Sequence, residues 1–352
     1  MGGVLYQMRM LCTGRSSMRK VSWAGGTSRP AVPRRSSRNA TMWLRLWRRR
    51  FALRGVSEPK NSAQLLLAHC LGADTIYGVP EKTLNRSLSG DQQRLFDEMC
   101  RKRLQGLPVQ YILGEWTFRD IKLRMKPPVL IPRPETEELV GLVLDSLKHV
   151  EVGSYQPDPQ GVPASGPSLL DAGCGSGAIC LSLLHSLPTA RAVAVDKSED
   201  AVSLTRLNAT SLNLLGRCNV LHMDLTAGLA QRELAALGPF DIVVSNPPYV
   251  LSSHLPLLQP EVRWFEDRGA LDGGKDGMDV LRVVLTLASE VLKDHGWLFV
   301  EVEPRHPELI AQELAEHVWP CLRLVHIYQD LSGKLRFCIL RKISQDEEPH
   351  GK

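Results

Sequence analysis

The first 57 residues contain no Asp or Glu. Thirteen Arg or Lys fall in that stretch, which leaves 30 basic against all 38 acidic residues in the rest, a net of −8 beneath the overall +5. An acidic body argues against the broad basic surface with which nucleic-acid enzymes neutralise phosphates. The chain also lacks any C-x-x-C pair. Its eight cysteines (12, 70, 100, 174, 180, 218, 321 and 338) are scattered, and no Cys/His cluster has zinc spacing. They read as small apolar fillers in a reducing compartment, and no metal is expected. No apolar run is long enough to cross a bilayer, so no membrane span is expected. No internal repeat is visible. What remains is ordinary for a globular chain: 352 residues, 43% of them hydrophobic, enough for one large domain or two smaller ones.

The acid-free leader is rich in Arg and Ser, the composition of an organelle transit peptide. Within it, "MWLRLWRRRFAL" places Trp43, Leu46, Trp47 and Phe51 on one helical face, with Arg45, Arg48 and Arg49 largely opposite. Residues 1–55 therefore read as a disordered, cleaved mitochondrial presequence, which implies the matrix. A basic tail that binds nucleic acid is the alternative. Internal methionines at 8, 10, 18 and 42 leave the true start open.

Beyond Ser57 the periodicity turns helical. "SAQLLLAHCLG" stops at Gly72, and "SGDQQRLFDEMCRKRLQG" is capped by Ser or Asp and stops at Gly106. "PVQYILGEWTFRDIKLRM" carries β-branched and aromatic residues around Gly114 and predicts a short hairpin there. The expected organisation is a small helical domain with hairpin over 56–125, a linker helix and Pro/Gly-rich loop over 126–167, a catalytic domain over 168–342 and a tail over 343–352. Over 168–342 strands alternate with helices, which predicts βαβ units and a mainly parallel, doubly wound sheet. "LRLVHIYQDLSGKLRFCIL" predicts a closing antiparallel hairpin.

Two motifs carry chemistry. Asp171-Ala-Gly173-Cys174-Gly175-Ser176-Gly177 ends the first strand and opens the first helix. Glycines let backbone approach a ligand closely, and the helix start offers free N–H groups. Asp196 ends the second strand, placed to accept hydrogen bonds from a ribose. Asp224, followed by Leu225, ends the third, beside the expected position of an adenine. Dinucleotide folds use G-x-G-x-x-G, whereas here the glycines fall at every second position. That form resembles motif I of the class I S-adenosylmethionine-dependent methyltransferases, and it implies S-adenosylmethionine as cofactor, with Asp171 near its methionine part.

The second motif, Asn246-Pro247-Pro248-Tyr249, leaves the fourth strand at the edge where ligands bind in open α/β sheets. Two prolines fix φ and remove two N–H donors. The side-chain carbonyl of Asn246 and the backbone carbonyl of Pro247 then form a rigid pair of acceptors, suited to an –NH2 group. Tyr249 is placed to lie against a planar group. The motif resembles that of enzymes that methylate planar amino groups: adenine N6, cytosine N4, guanine N2 or the amide of glutamine.

Taken together, "PVQYILGEWTF", "VLIPRPETEELV", "DAGCGSGAICLSLL", "VVSNPPYV" and "ALDGGKDGMDVLR" closely resemble the release-factor glutamine N5-methyltransferases, the HemK family. The likeness covers roughly residues 60–342. It implies a class I methyltransferase, Rossmann-like sheet behind a small helical domain. It also implies methyl transfer to the glutamine of the Gly-Gly-Gln loop in class I peptide chain release factors, those of mitochondria given the leader. An amino-methyltransferase acting on DNA or RNA is the alternative. Residue by residue, Gly173 to Gly177 would hold the cofactor and Asp196 its ribose, and Asn246 to Tyr249 would hold the glutamine amide. Arg133 and Glu135 would lie near the crevice mouth or make domain-joining ion pairs. Three positions depart from the family pattern: Leu225 for a common Trp, Cys174 for Thr, and Glu303 for Gly. Residues 152–167 look like an insertion.

Overall fold

The computed structural model describes residues 39–149, 166–228 and 230–344. The stretch 1–38 and the core of the expected insertion, 152–165, lie outside the described residues.

The chain begins with helices. α1 (Ala40–Leu53) is capped by the Asn39 side chain, which accepts from Met42 N. α2 (Pro59–Cys70) starts on a proline, whose missing N–H costs nothing at a helix start. A short α3 (Glu81–Leu84) follows. α4 (Gly90–Leu104) is held by a reciprocal capping box between Ser89 and Gln92. These helices and α5 (Val109–Leu113) share one core that contains Trp47, Phe51, Leu66, Leu67, Phe96, Met99 and Val109. The expected boundary at residue 55 is therefore corrected. The amphipathic face read as part of a presequence is the face that α1 packs into the helical domain.

The hairpin expected within 108–125 is present. Gly114, at φ 73°, is the residue that ends α5. The turn comes later, at Arg119–Asp120, between β1 (Glu115–Phe118) and β2 (Ile121–Arg124), which pair antiparallel. Its Phe118, Ile121 and Leu123 are buried in the core beneath the sheet.

α6 (Pro134–His149) leads to the catalytic sheet, and its Leu139, Val140 and Val143 join the same core as the hairpin. The elements then alternate: β3 (Ser168–Ala172), α7 (Ala178–Ser186), β4 (Arg191–Asp196), α8 (Glu199–Ser211), β5 (Cys218–His222), α9 (Ala230–Leu237) and β6 (Phe240–Ser245). After β6 come α10 (Pro260–Phe265), α11 (Asp279–Val291), β7 (Leu292–Glu301), α12 (His306–Ala315), β8 (Leu322–Gln329) and β9 (Leu335–Lys342). The sheet order is β5-β4-β3-β6-β7-β9-β8. The β5-to-β7 strands run parallel; β9 pairs antiparallel with β7 and β8 antiparallel with β9, the closing hairpin that the sequence predicted. Alternate residues of one strand serve opposite faces: Leu169 packs toward α6, α7 and α8, and Leu170 toward α9, α11 and α12.

This order puts a topological switch between β3 and β6, since the chain leaves β3 toward β4 and later returns to β3's other side. The crevice outside their carboxyl ends is where an open α/β sheet takes ligands. Ser245 Oγ donates to Ala172 O at 2.6 Å and ties the two strand ends together.

The helical domain is joined to the catalytic one by a buried arginine. Arg103 of α4 pairs with Glu261 of α10 and donates to Ser57 Oγ at 2.8 Å and Ser62 Oγ at 3.2 Å.

Candidate functional site

The glycine loop after β3 has Gly173, Gly175 and Gly177 all at positive φ (83°, 55° and 81°). At Gly177 space matters as well, since a Cβ there would meet Leu181 Cδ1 at 2.9 Å and Thr205 Cγ2 at 3.0 Å. Gly173 N and Cys174 N both donate to Val195 O at 2.9 Å, so the loop folds over the end of β4. Asp196 holds it from beside: its carboxylate accepts from Gly175 N and from Ser198 N, both at 2.9 Å. Burial raises its carboxyl above the usual range, against those two donors.

A cleft opens here. Gly173, Gly175, Asp196, Asp224, Leu225, Asn246 and Pro248 line it, bringing together seven of the residues singled out in the sequence. Asp224 is an exposed wall whose Oδ1 accepts from Thr226 N at 2.9 Å and Thr226 Oγ1 at 2.7 Å. Not brought to the cleft wall are Asp171, Cys174, Ser176, Gly177, Pro247 and Tyr249. Cys174 is buried with its Sγ 3.6 Å from Thr205 Oγ1, and burial drives its thiol up so that it stays neutral. Ser176 is buried, and its carbonyl accepts from Asn208 Nδ2 at 2.9 Å. These two shape the loop.

Asp171 lies fully buried beneath it. One oxygen accepts from Cys180 N at 3.1 Å, and the other, Oδ1, has no hydrogen-bond partner. Burial pushes this carboxyl up to about 7. A raised acid stabilises the fold fully only below its unfolded pKa, and that contribution is lost as pH rises through the folded value. Between pH 5.5 and 8 the ionisation of Asp171 should therefore cost the ligand-free protein about 2 kcal/mol. Asp171→Asn removes this dependence, so its stability should change less over that interval in denaturant titrations. An imperfectly paired Asn amide adds a constant cost at both pH values and leaves the comparison intact. An unchanged pH profile in the variant would sink the assignment.

Asn246 begins the loop after β6. Its Nδ2 donates to Thr136 Oγ1 at 3.1 Å, and Thr136 Oγ1 donates to Glu301 Oε2 at 2.7 Å. Tyr249 does not offer its hydroxyl to the cleft; it aims it at Glu301 Oε1, 3.4 Å away, and the Arg336 guanidinium stands 6.0 Å from its ring centre. Burial raises the Tyr249 hydroxyl well above its ordinary value, so it is a neutral donor.

The backs of Pro248 and Tyr249 rest on the glycines of "DGGKDG". A Cβ on Gly273 would meet Pro248 O at 2.7 Å, and one on Gly277 would meet Tyr249 O at 2.7 Å. Val250 N donates to Leu271 O, and Gly273 N to Val250 O, which pins the two segments side by side.

Of the two residues expected at the crevice mouth, Arg133 makes a joining ion pair: it grips both oxygens of the buried Glu266 at 2.8 Å. Glu135 is half-buried at the start of α6, close enough to Glu301 to raise its carboxyl. Glu303 pairs with Arg305 at 2.9 Å just before α12. Sequence reading missed Thr136 and Glu301, and it missed the cleft walls Val129, Leu130, Asp267 and Gly269. Thr136 stands inside a motif that was noticed; the contact it makes, across 165 residues, left no local signal. Among the described residues no cluster of acids, Cys or His is arranged to hold a metal.

Two family profiles match the chain: "PrmC N-terminal domain" over residues 42–114 and "Methyltransferase small domain" over 161–257. The human "MTRF1L release factor glutamine methyltransferase" is 43% identical over 320 residues, spanning 91% of this chain and 92% of that protein. The "Release factor glutamine methyltransferase" of Rhodopirellula baltica is 34% identical, over 83% of this chain and 92% of its own length. That of Chlorobaculum tepidum is 37% identical, over 72% and 81%.

Proposed function

The chain belongs to the release factor glutamine methyltransferases, and from that premise we propose its cofactor, its site and its place of action. It is an enzyme that methylates the side-chain amide of a release-factor glutamine. The methyl donor is S-adenosylmethionine, which when bound supplies an electrophilic methyl group on its sulfonium. The residues present fit that molecule. The glycine loop gives an open cradle, Asp196 keeps unused lone pairs for ribose hydroxyls, and the unpartnered oxygen of Asp171 suits a cationic amino group.

The observation that carries the reading is the orientation of Asn246. Its Nδ2 is turned onto Thr136, which leaves Oδ1 as the atom to present to the cleft. The backbone carbonyl of Pro247, which follows Asn246 in the chain, would be the second of the two acceptors that an –NH2 group requires. An amide nitrogen is a weak nucleophile because its lone pair is delocalised. Holding both its hydrogens favours a pyramidal nitrogen and aims the lone pair along the line of attack. Such positioning contributes roughly 7–11 kcal/mol when reacting atoms are held near attack geometry. No base is needed before transfer, since the methylated nitrogen can release its proton to water afterwards.

The test is direct. The purified chain, labelled methyl donor and a class I release factor carrying the Gly-Gly-Gln loop should give labelled release factor. Changing that glutamine should remove the label. Label that persisted, or that appeared in polynucleotide, would refute the substrate.

The place of action is the mitochondrial matrix. Residues 1–38 hold eight Arg or Lys and no acid, the charge pattern of an import signal. A reporter fused behind residues 1–38 should enter mitochondria; a reporter left in the cytosol would count against it.

A further inference from the structure

We propose that Thr136 and Glu301 are positioning residues for the transfer: a hydrogen-bond chain from Glu301 through Thr136 fixes which way the Asn246 amide faces. The proposal rests on the reading of Asn246 as the acceptor of the substrate amide, and it adds what makes that acceptor face the right way.

The need follows from shape. The two ends of an Asn amide are nearly the same size, so packing alone does not choose between them. A flipped Asn246 would present –NH2 to the substrate's –NH2, and the acceptor pair would be lost. Hydrogen-bond supply makes the choice instead. A carboxylate only accepts, and a hydroxyl has one hydrogen to give. Thr136 gives its hydrogen to Glu301 Oε2 at 2.7 Å. Only lone pairs then face Asn246, 3.1 Å away, and only the –NH2 end can meet them. The oxygen is left for the cleft. The other oxygen of Glu301 receives the Tyr249 hydroxyl, so one carboxylate orients both ends of Asn-Pro-Pro-Tyr.

Two of the three side chains are withdrawn from water, and Asn246 is half-buried at the cleft. Thr136 and Glu301 are 3% and 1% exposed, so a broken link is not replaced by solvent. The elements meeting at Glu301 bring further titratable groups: Glu135 from α6, Arg336 from β9 and the neutral Tyr249 from the loop after β6. Burial pushes the carboxyl up to about 7, so it takes a proton near neutral pH. Once protonated it can donate to Thr136, which frees the hydroxyl hydrogen for Asn246 Oδ1 and lets the amide turn over.

Three variants of the full chain test this: Thr136→Val, Thr136→Ser and Glu301→Gln. Each is assayed for kcat and KM with a Gly-Gly-Gln release factor and for affinity toward S-adenosylhomocysteine. Thr136→Val should lower kcat about ten- to a hundredfold, the worth of a hydrogen bond to a charged group, with product affinity within about twofold. Thr136→Ser keeps the hydroxyl and should restore most of the rate. Glu301→Gln keeps the shape but lets either end of its amide face Thr136, so it should lose part of the rate, and its pH profile decides the matter should Thr136→Val fail to fold. The parent's fall in kcat below about pH 7 should be absent from Glu301→Gln. Full activity in Thr136→Val overturns the proposal, and so does a Glu301→Gln that keeps the parent's fall in kcat below about pH 7. So does a Thr136→Ser as slow as the valine variant, since packing of the methyl group would then be the cause. An Asn246→Ala variant run alongside separates the two levels. If it is inactive while Thr136→Val is fully active, only this proposal falls; if it is active, the reading of the site falls with it.

Discussion

Asn246→Ala is expected to lose methyl transfer by about a thousandfold while the methyl donor still binds within a few-fold of the parent affinity. The size follows from the division of labour in the loop. In the proposed site two acceptors hold the substrate amide, and the variant keeps one of them, the carbonyl of Pro247. Removing one preorganised hydrogen-bond partner from a reacting group in a water-poor site costs about 10²–10³ in rate. The loss falls at the upper end because the remaining acceptor no longer restrains the second hydrogen, so the nitrogen relaxes to its planar form. Donor affinity should be largely kept because Gly173, Gly175 and Asp196 remain, and their geometry is set by bonds to Val195 and Ser198. Single-turnover assays with labelled donor, beside calorimetry with S-adenosylhomocysteine, separate the two effects. A variant that kept a tenth of the parent rate would show that the amide is held elsewhere.

The contrast between Asn246 and its supports shows what a sequence discloses. Asn246 was legible because its signal is local: an apolar strand running into two prolines. The glycine loop was legible for the same reason, with Asp171 and Asp196 at the ends of adjacent strands. The alternation from β3 to β9 follows from the periods of the hydrophobic pattern. Thr136 and Glu301 meet only because α6 packs across the carboxyl end of β7, and nothing within either segment announces that contact. The same holds for Arg133 and Glu266, 133 positions apart. The hairpin was legible from its β-branched and aromatic residues, but the place of its turn was not. A glycine with positive φ serves a turn and a helix end equally well, and at Gly114 the helix end prevailed because "VQYIL" closes a turn of helix first. The leader illustrates ambiguity of another kind. Aromatic residues opposite arginines make an amphipathic helix for an import receptor or for a neighbouring helix alike. Here α2 supplies the partner surface, with Leu66 and Leu67 in the same core as Trp47 and Phe51.

That last point sets the second large expectation. A chain begun at residue 56, the mature form that the leader reading implied, should fail to fold its helical domain, whereas one begun at residue 39 should be as stable as the full chain. Trp47 is 2% exposed and Phe51 fully buried. Truncating a buried Trp or Phe to Ala costs about 3–5 kcal/mol each. Domains of this size are stable by only about 5–15 kcal/mol, so losing both rings with their helix removes most or all of the margin. The catalytic sheet has its own core and should persist, but its tie to α4 through Arg103 and Glu261 would be lost. Limited proteolysis should then cut within residues 59–104 of the shorter chain and leave the longer one intact there. The point substitution Phe51→Ala in the full chain should move the same region toward cleavage without altering the Asn246 loop. Equal protease resistance of the two truncated chains would mean that α1 is dispensable to the domain and would restore residue 55 as its boundary.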